Sequence, residues 1–427
     1  MASLQHLTNL AEGILRNTNV LTAYLEREGK EAPTFDAEGL SEWDIGEGEV
    51  EVRRARTELV DMSRELGDLA VGPREGLKGL AWDCIDNLSL QVVCEFKIAE
   101  AVPIEGTISY QELAEKVGVP LLKLRPLIRH AITNHIFHEP LKNHVAHTST
   151  SRLLLPNENP PMHAWVNFWT DDLAISVANV VNAMKKWPDS QESNETSVNY
   201  AWDTKLNWYD WVQQKEGLAK RYGLAMAAHG GGEGFRVEYT VEGYPWGGLK
   251  EGATVVDMGG SQGFVSFAIA EKFPALNFIV QDTAGMRTPE TIGTVPEALR
   301  DRVKLTTHDF FTEQTVVADV YFFRWIFHGF SEKYCVEILR KLTPALRKGA
   351  RVVINDGVLP EPGSVGRVEE KSMRTMDVVM QVTVNARERE LDDWAELFKT
   401  ADPRYKFLNA WKPEKSRMWM IEAEWTG

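Results

Sequence analysis

The chain has 427 residues, 43% hydrophobic and 26% charged, the profile of a soluble globular protein too long for one ordinary core, and two or three domains are expected. Its 62 acidic against 47 basic side chains leave a net charge of −15, a field that repels polyanions where no basic patch is segregated, so no nucleic acid partner is expected. Three cysteines without a CxxC pair suggest neither a zinc site nor a disulfide framework. No apolar run reaches the ~18 residues of a membrane span and the N-terminus lacks a secretory pattern, so a cytoplasmic protein with no membrane partner is expected.

Residues 1–79 form a helical arm in which apolar and charged positions recur at helical spacing, interrupted by the Gly/Pro/acidic stretch Glu31–Gly48. Packing on a second subunit and packing on its own chain are both open. Over residues 80–158, LAWDCIDNLSLQVVCEFKIAEAV predicts a buried helix. Ser109 and Glu112 then form a capping box, satisfying each other's free backbone N–H groups, and Gly118 ends that short helix. Pro120 suits the first turn of the next helix, PLLKLRPLIRHAITNHI, and IFHEPLKNHVAHT predicts a hairpin. Three helices and a hairpin make a winged-helix pattern. DNA binding is nonetheless disfavoured, because the recognition segment carries only Lys123, Arg125 and Arg129 for phosphate neutralisation. The histidines between His130 and His147 predict no metal: His130 and His135 diverge on a helix, unlike an i, i+4 zinc pair.

Residues 159–250 read as a helical connector rich in aromatics, among them Trp165, Phe168, Trp169, Trp208, Tyr209 and Trp211. These are either core packing or a flat apolar wall contributing to a pocket for a planar ligand. Across residues 251–427 the period changes. TVVDM, NFIVQD, DVYFFRWIF and RVVIND are short apolar runs with polar or acidic ends, separated by helical segments, which predicts a mostly parallel α/β sheet covered on both faces.

Thr254–Gly263 reads TVVDMGGSQG, a buried strand running into a glycine turn and then a helix. Two readings compete. Gly259-Gly260-Ser261-Gln262-Gly263 satisfies the nucleophile-elbow pattern of α/β-hydrolases, with His229-Gly230-Gly231-Gly232 as an oxyanion loop and Asp309 and His328 as triad partners of Ser261. Against it, that fold needs several strands before the elbow, where this chain reads as helical. The nucleotide reading accounts for more residues. Asp282 ends the next strand nineteen positions past Gly263, where an acid accepts bonds from ribose hydroxyls, and Asp309 after VKLTT is placed for an adenine amine. The loop lacks GxGxxG, and Asp257 makes it unwelcoming to a pyrophosphate. A cationic, phosphate-free cofactor such as S-adenosylmethionine fits it better.

Five segments in order over about 140 residues then carry a resemblance: VVDMGGSQGF, VQD ending at Asp282, HDFF at Asp309–Phe310, FFRWIFHGFSEKYCVEIL around His328, and INDGVLPEPG with NARERELDDW. Together they resemble the plant and fungal small-molecule O-methyltransferases of the caffeic-acid type, from about Leu80 to the C-terminus. The resemblance implies a C-terminal Rossmann-like methyltransferase domain preceded by an α-helical winged-helix dimerisation domain, and hence a homodimer. It implies an S-adenosylmethionine-dependent enzyme of secondary-metabolite biosynthesis acting on a small aromatic substrate. It places Gly259, Asp282, Asp309, Phe310 and Arg324 on the cofactor, His328 as the catalytic base, and Asp356 and Glu388 as the acids that orient it. Three positions depart from the pattern: Ser261 for a glycine, Arg324 for a lysine, and Gly329 for the aspartate after the histidine.

The implied reaction removes a proton from a phenolic or enolic hydroxyl as its oxygen attacks the sulfonium methyl. Ordinary values of about 10 for a phenol and 6.5 for histidine leave that transfer uphill by roughly 5 kcal/mol, a gap that carboxylates beside His328 would narrow. A family member that binds the cofactor but performs pericyclic chemistry without methyl transfer is the alternative left open by Gly329, Arg324 and the histidines His130 and His135.

Overall fold

The computed structural model describes residues 4–46, 48–159, 161–230, 232, 234–287 and 295–427. They divide into two compact units, one drawn from Met1–Ile175, Val212–His229 and Val365–Glu369, the other from Ser176–Trp211, Gly230–Ser364 and Glu370–Gly427. Among the described residues no helix is long and apolar enough to cross a membrane.

In the first unit, helices Leu4–Glu28 and Val50–Val71 bury Leu21, Tyr24 and Val52 in a shared small core, so these two arm helices pack on their own chain. Gly72, at φ +77°, separates the second from helix Pro73–Glu95, whose proline occupies the first turn, where its missing N–H costs nothing. This helix departs from expectation. It begins before Leu80, Leu80 and Trp82 are 63% and 73% exposed, and only Ser89 and Val93 are buried. Its apolar residues run around the whole circumference rather than along one stripe, more surface than its neighbours in one chain cover.

The capping box forms as read: Glu112 N donates to Ser109 Oγ at 3.2 Å and Ser109 N to Glu112 Oε2 at 3.1 Å, opening helix Tyr110–Val117, which Gly118 closes at φ +70°. Helix Leu121–Thr133 follows. The hairpin appears as β2 (His138–Leu141) and β3 (His144–Ala146), and a third strand, β1 (Ile108–Ser109), pairs antiparallel with β3. Leu113, Leu124, Ile128, Ala131 and Val145 fill the core beneath them.

The second unit is built on a seven-stranded sheet: β4 (Thr254–Met258), β5 (Asn277–Asp282), β6 (Val303–Thr307), β7 (Val320–Arg324), β8 (Arg351–Asp356), β9 (Tyr405–Trp411) and β10 (Trp419–Trp425), in the order β6-β5-β4-β7-β8-β10-β9. The first five pair in parallel, and β10 runs antiparallel to β8 and β9. Side chains alternate between the two faces with the two-residue period of a strand. Tyr321, Phe323, Val352, Ile354 and Ile421 pack on Leu339, Trp394 and Phe398. Val320, Phe322, Val353, Val255 and Phe278 pack on Trp246 and Ile269 on the opposite face. With both faces covered, the strands read as continuous apolar runs, which is why they were legible. One run is shorter than expected. DVYFFRWIF leaves the sheet at Arg324 because Trp325 adopts φ +55°. The chain winds from β4 outward to β6 and then crosses to β7, so strand order reverses between β4 and β7. In open α/β sheets the cleft at the carboxyl ends of such a pair is where ligands bind, and both Gly259 and the His328 segment emerge there.

Candidate active site

The turn leaving β4 holds Gly259 at φ +72° and Gly263 at φ +85°, the left-handed region glycine enters without cost. Gly259 and Gly260 donate their N–H groups to Gln281 O at 2.8 and 3.1 Å, clamping the turn to β5. There is no room for larger residues. A Cβ on Gly259 would stand 2.6 Å from Ile326 Cδ1, and one on Gly260 2.5 Å from the Asp257 carboxylate and 2.7 Å from Val280. Asp257 is buried and accepts a 2.6 Å bond from Ser266 Oγ, fixing the start of helix Phe264–Lys272 beneath the loop. Ser261 sits at φ +47°, so its replacement of a glycine is not free: a side chain there carries left-handed strain.

Asp282 ends β5 and closes the loop from the other side. Ser261 N donates to its Oδ2 at 2.8 Å and Thr283 N to its Oδ1 at 2.7 Å, which orients the carboxylate and leaves each oxygen a lone pair to accept from a ligand hydroxyl. Asp309 follows β6 as expected, exposed, its Oδ1 accepting Phe311 N at 2.9 Å. Phe310 lies 3.6 Å from where a Gly259 Cβ would stand and meets Phe330 edge-on at 5.6 Å. Arg324, at the end of β7, donates Nε to Asn355 Oδ1 at 3.1 Å and Nη2 to Phe235 O at 2.9 Å, its guanidinium 4.4 Å from the Trp325 ring centroid. Burial pushes its pKa down to about 10, with Asp257 and Asp356 opposing. The loop is thus glycine-cradled, bordered by carboxylates and an aromatic edge, and fits an adenosyl group with a positive centre and no phosphate.

His328 stands on the short turn Phe327–Gly329, three residues beyond β7. Its Nδ1 faces Glu388 Oε1 at 3.0 Å and Asp356 Oδ1 at 4.0 Å, and its backbone N donates to Asp356 Oδ2 at 3.1 Å. These acids are not solvated members of a charge run: Asp356 is 0% and Glu388 6% exposed. Burial alone would lower the imidazole pKa, but Asp356 and Glu388 together outweigh it and lift His328 to about 9. Burial likewise pushes the Asp356 carboxyl up; His328 opposes that rise and Glu388 adds to it. Glu388 Oε2 is buried without a hydrogen-bond partner among the described residues, an arrangement that favours a positive charge on the adjoining imidazole. Because the carboxylates hold Nδ1, the proton of the neutral imidazole is assigned there, which leaves the accepting lone pair on Nε2. The hydrolase triad does not form. Asp309 is bonded to Phe311 rather than orienting His328, and Gly231 of the oxyanion motif lies outside the described residues.

Several positions that shape this site carry no local signal in the sequence. Gly357 permits Glu388 to approach, since a Cβ there would stand 2.6 Å from Oε2. Asn355 anchors Arg324 while donating Nδ2 to Trp419 O at 3.0 Å. At Gly329, the departure from the family pattern has a physical counterpart: a Cβ would lie 3.0 Å from the Tyr209 hydroxyl, which takes up the space a side chain at 329 would use. Arg389, inside ARERE, is fully buried. Burial and its partners distinguish it from the exposed Arg387 two positions away, which pairs with Asp393.

Comparisons with known proteins bear on the family and the fold. A family model described as an O-methyltransferase domain matches residues 246–403, which span the glycine turn, His328, Asp356 and Glu388. The chain is 40% identical over 426 residues to a chlorophenol O-methyltransferase of Trichoderma longibrachiatum, covering 97% of this chain and 89% of that protein. Its fold is similar to that of OxaC, with a TM-score of 0.73 at 21% identity over 98% of this chain and 100% of OxaC. It is also similar to a pericyclic reaction enzyme, with a TM-score of 0.70 at 19% identity over 87% and 94%. The ordered motifs, the parallel sheet with its switch-point loop and the near full-length match lead to one conclusion: the chain belongs to the S-adenosylmethionine-dependent O-methyltransferase family.

Proposed function

We propose that this methyltransferase acts on a phenolic or enolic hydroxyl of a planar aromatic secondary metabolite, of polyketide or alkaloid type, with His328 as general base. The observation that carries the reading is Nδ1 of His328 held at 3.0 Å by a buried carboxylate. When bound, S-adenosylmethionine supplies an electrophilic methyl group on a sulfonium; Gly259, Asp282, Asp309, Phe310 and Arg324 are the residues that hold it. His328 Nε2 takes the acceptor's proton, and Glu388 and Asp356 stabilise the imidazolium that results. With the imidazole near 9 and a phenol near 10, the transfer is uphill by about 1.4 kcal/mol rather than 5. Phe330, whose ring centroid lies 5.4 Å from that of Phe311 and 6.4 Å from that of Tyr209, supplies with them apolar faces suited to a flat acceptor. The Trichoderma relative is named for a chlorophenol, which shares the planar ring and phenolic hydroxyl of the proposed acceptor.

Replacing His328 with Ala is expected to abolish formation of a product 14 mass units heavier while leaving calorimetric cofactor affinity within about threefold; wild-type turnover would remove the general-base role. The exposed apolar residues of helix Pro73–Glu95, including Leu77, Leu80 and Trp82, support a homodimer, which sedimentation at micromolar concentration reads directly. The free thiols of Cys84, Cys94 and Cys335 suit a reducing, cytoplasmic setting.

A further inference from the structure

Among the described residues of the second unit Arg389 is the fully buried cation, and the hydrogen bonds of its guanidinium fall on one short piece of chain. Nη1 donates to Phe327 O at 2.9 Å and Nη2 to Phe330 O at 3.3 Å. Nε and Nη2 reach Glu332 Oε2 at 3.2 and 3.1 Å, and Nη2 lies 3.1 Å from Cys335 Sγ. The two carbonyls bracket His328 and Gly329. Phe327 O also accepts Phe330 N at 3.3 Å, and Cys335 Sγ, a weak donor, lies 3.4 and 3.3 Å from the two carbonyls, so what the turn lacks is a strong, charged donor common to both. The guanidinium supplies it as a rigid fork, with its plane braced 5.3 Å from the Trp394 ring centroid.

The neighbouring residue completes the arrangement. Glu388 grips the imidazole of His328 while Arg389 grips the backbone that carries it, so consecutive residues hold both the ring and its root. The same segment is tied to the other acid. Leu359 N donates to Arg389 O at 2.8 Å, and Trp394 Nε1 donates to Gly357 O at 3.2 Å, next to Asp356. Arg389 also faces the charge of the cluster: it opposes protonation of His328, and Asp356 in turn favours its own charged form. When the imidazole is neutral, Arg324 and Arg389 are the cations that act on the buried carboxylates, and of the two Arg389 is the one that also holds the turn carrying His328.

We propose that Arg389 is a positioning residue for methyl transfer: it pins the turn that presents His328 to the acceptor and balances the carboxylate pair behind the ring. The proposal rests on His328 being the base. A purely structural brace would support folding alone; a positioning residue also sets where and when the imidazole gives up its proton.

The test uses the full-length protein and three variants, Arg389→Lys, Arg389→Met and Glu332→Gln, each first checked for folding by thermal melting and for cofactor affinity by calorimetry. The His328 imidazole is titrated by NMR without substrate, its resonance identified by its loss in His328→Asn, and kcat and acceptor KM are measured alongside. Lysine, a point charge, cannot span both carbonyls, so Arg389→Lys is expected to lower kcat by roughly 10- to 100-fold with acceptor KM changed less than about threefold. Arg389→Met, which removes the cation, is expected to move the imidazole titration upward by about half a pH unit or more. Glu332→Gln, which leaves the arginine in place with its charge less neutralised, is expected to move it downward. Opposite shifts support the proposal. A folded Arg389→Lys with kcat within twofold of wild type, or a titration unmoved in both charge variants, overturns it. If neither arginine variant folds, the direction of the Glu332→Gln shift decides, a downward shift supporting the proposal and none overturning it. Turnover surviving in His328→Asn would defeat the base reading separately, since the imidazole titration does not depend on activity.

Discussion

Replacing Gly357 with alanine isolates the hydrogen bond between Glu388 and the proposed base, His328. The glycine has no positive φ, so alanine brings no backbone strain; what it brings is a methyl group 2.6 Å from Glu388 Oε2. The backbone has little freedom to retreat, because Gly357 N is bonded to Asp356 Oδ1 at 3.0 Å and Gly357 O to Trp394 Nε1 at 3.2 Å. The carboxylate therefore moves. Restoring an ordinary contact of about 3.4 Å displaces it by about 0.8 Å, and a comparable lengthening of the 3.0 Å bond to His328 Nδ1 takes it beyond hydrogen-bond range. A hydrogen bond to a charged group is worth about 1.5–3 kcal/mol, which at about 1.4 kcal/mol per tenfold predicts kcat lower by roughly 10- to 150-fold. Steady-state kinetics with a phenolic acceptor measures this, and calorimetry is expected to find cofactor affinity within about twofold, since the glycine turn is untouched. A folded variant turning over at more than half the wild-type rate would refute the assignment of Glu388 to the base.

Other consequences follow from the same geometry. With the imidazole held near 9, kcat/KM is expected to rise about tenfold per pH unit from neutrality and level off near pH 9; a break near the ordinary value of 6.5 would contradict the carboxylate pairing. The corresponding stability runs the opposite way. A raised folded value stabilises the fold fully below about 6.5 and loses that contribution as pH climbs through about 9, so the melting temperature should fall over pH 7–10 more in the wild type than in His328→Asn. Gly260→Ala forces a methyl group against Asp257 and Val280 and is expected to abolish calorimetric cofactor binding; retained affinity would remove the loop from the site. Ser261→Gly relieves a left-handed serine and is expected to stabilise the protein by about 1 kcal/mol with methyl transfer intact, whereas a nucleophilic serine would make that substitution inactivating.

The parts of this molecule readable from the chain alone were those governed by local patterns. Strands β4, β5, β7 and β8 announce themselves because parallel strands buried on both faces need unbroken apolar runs, and the Ser109–Glu112 box because capping is a contact over three residues. Gly259, Asp282, Asp309, His328, Asp356 and Glu388 were named from the order of motifs, and the geometry then brought His328, Asp356 and Glu388 together. Local patterns misjudged helix Pro73–Glu95, where apolar content suggested burial and the fold leaves Leu80 and Trp82 exposed. Within ARERE, alternating charges look alike on paper. The fold sends Arg387 to solvent and buries Glu388 and Arg389, because the partners that hold them lie about 60 residues away in sequence, at His328, Phe327 and Phe330. The proton affinity of His328 has the same origin. Burial lowers it and two distant carboxylates raise it, and the balance between those opposed effects exists only once the chain has folded.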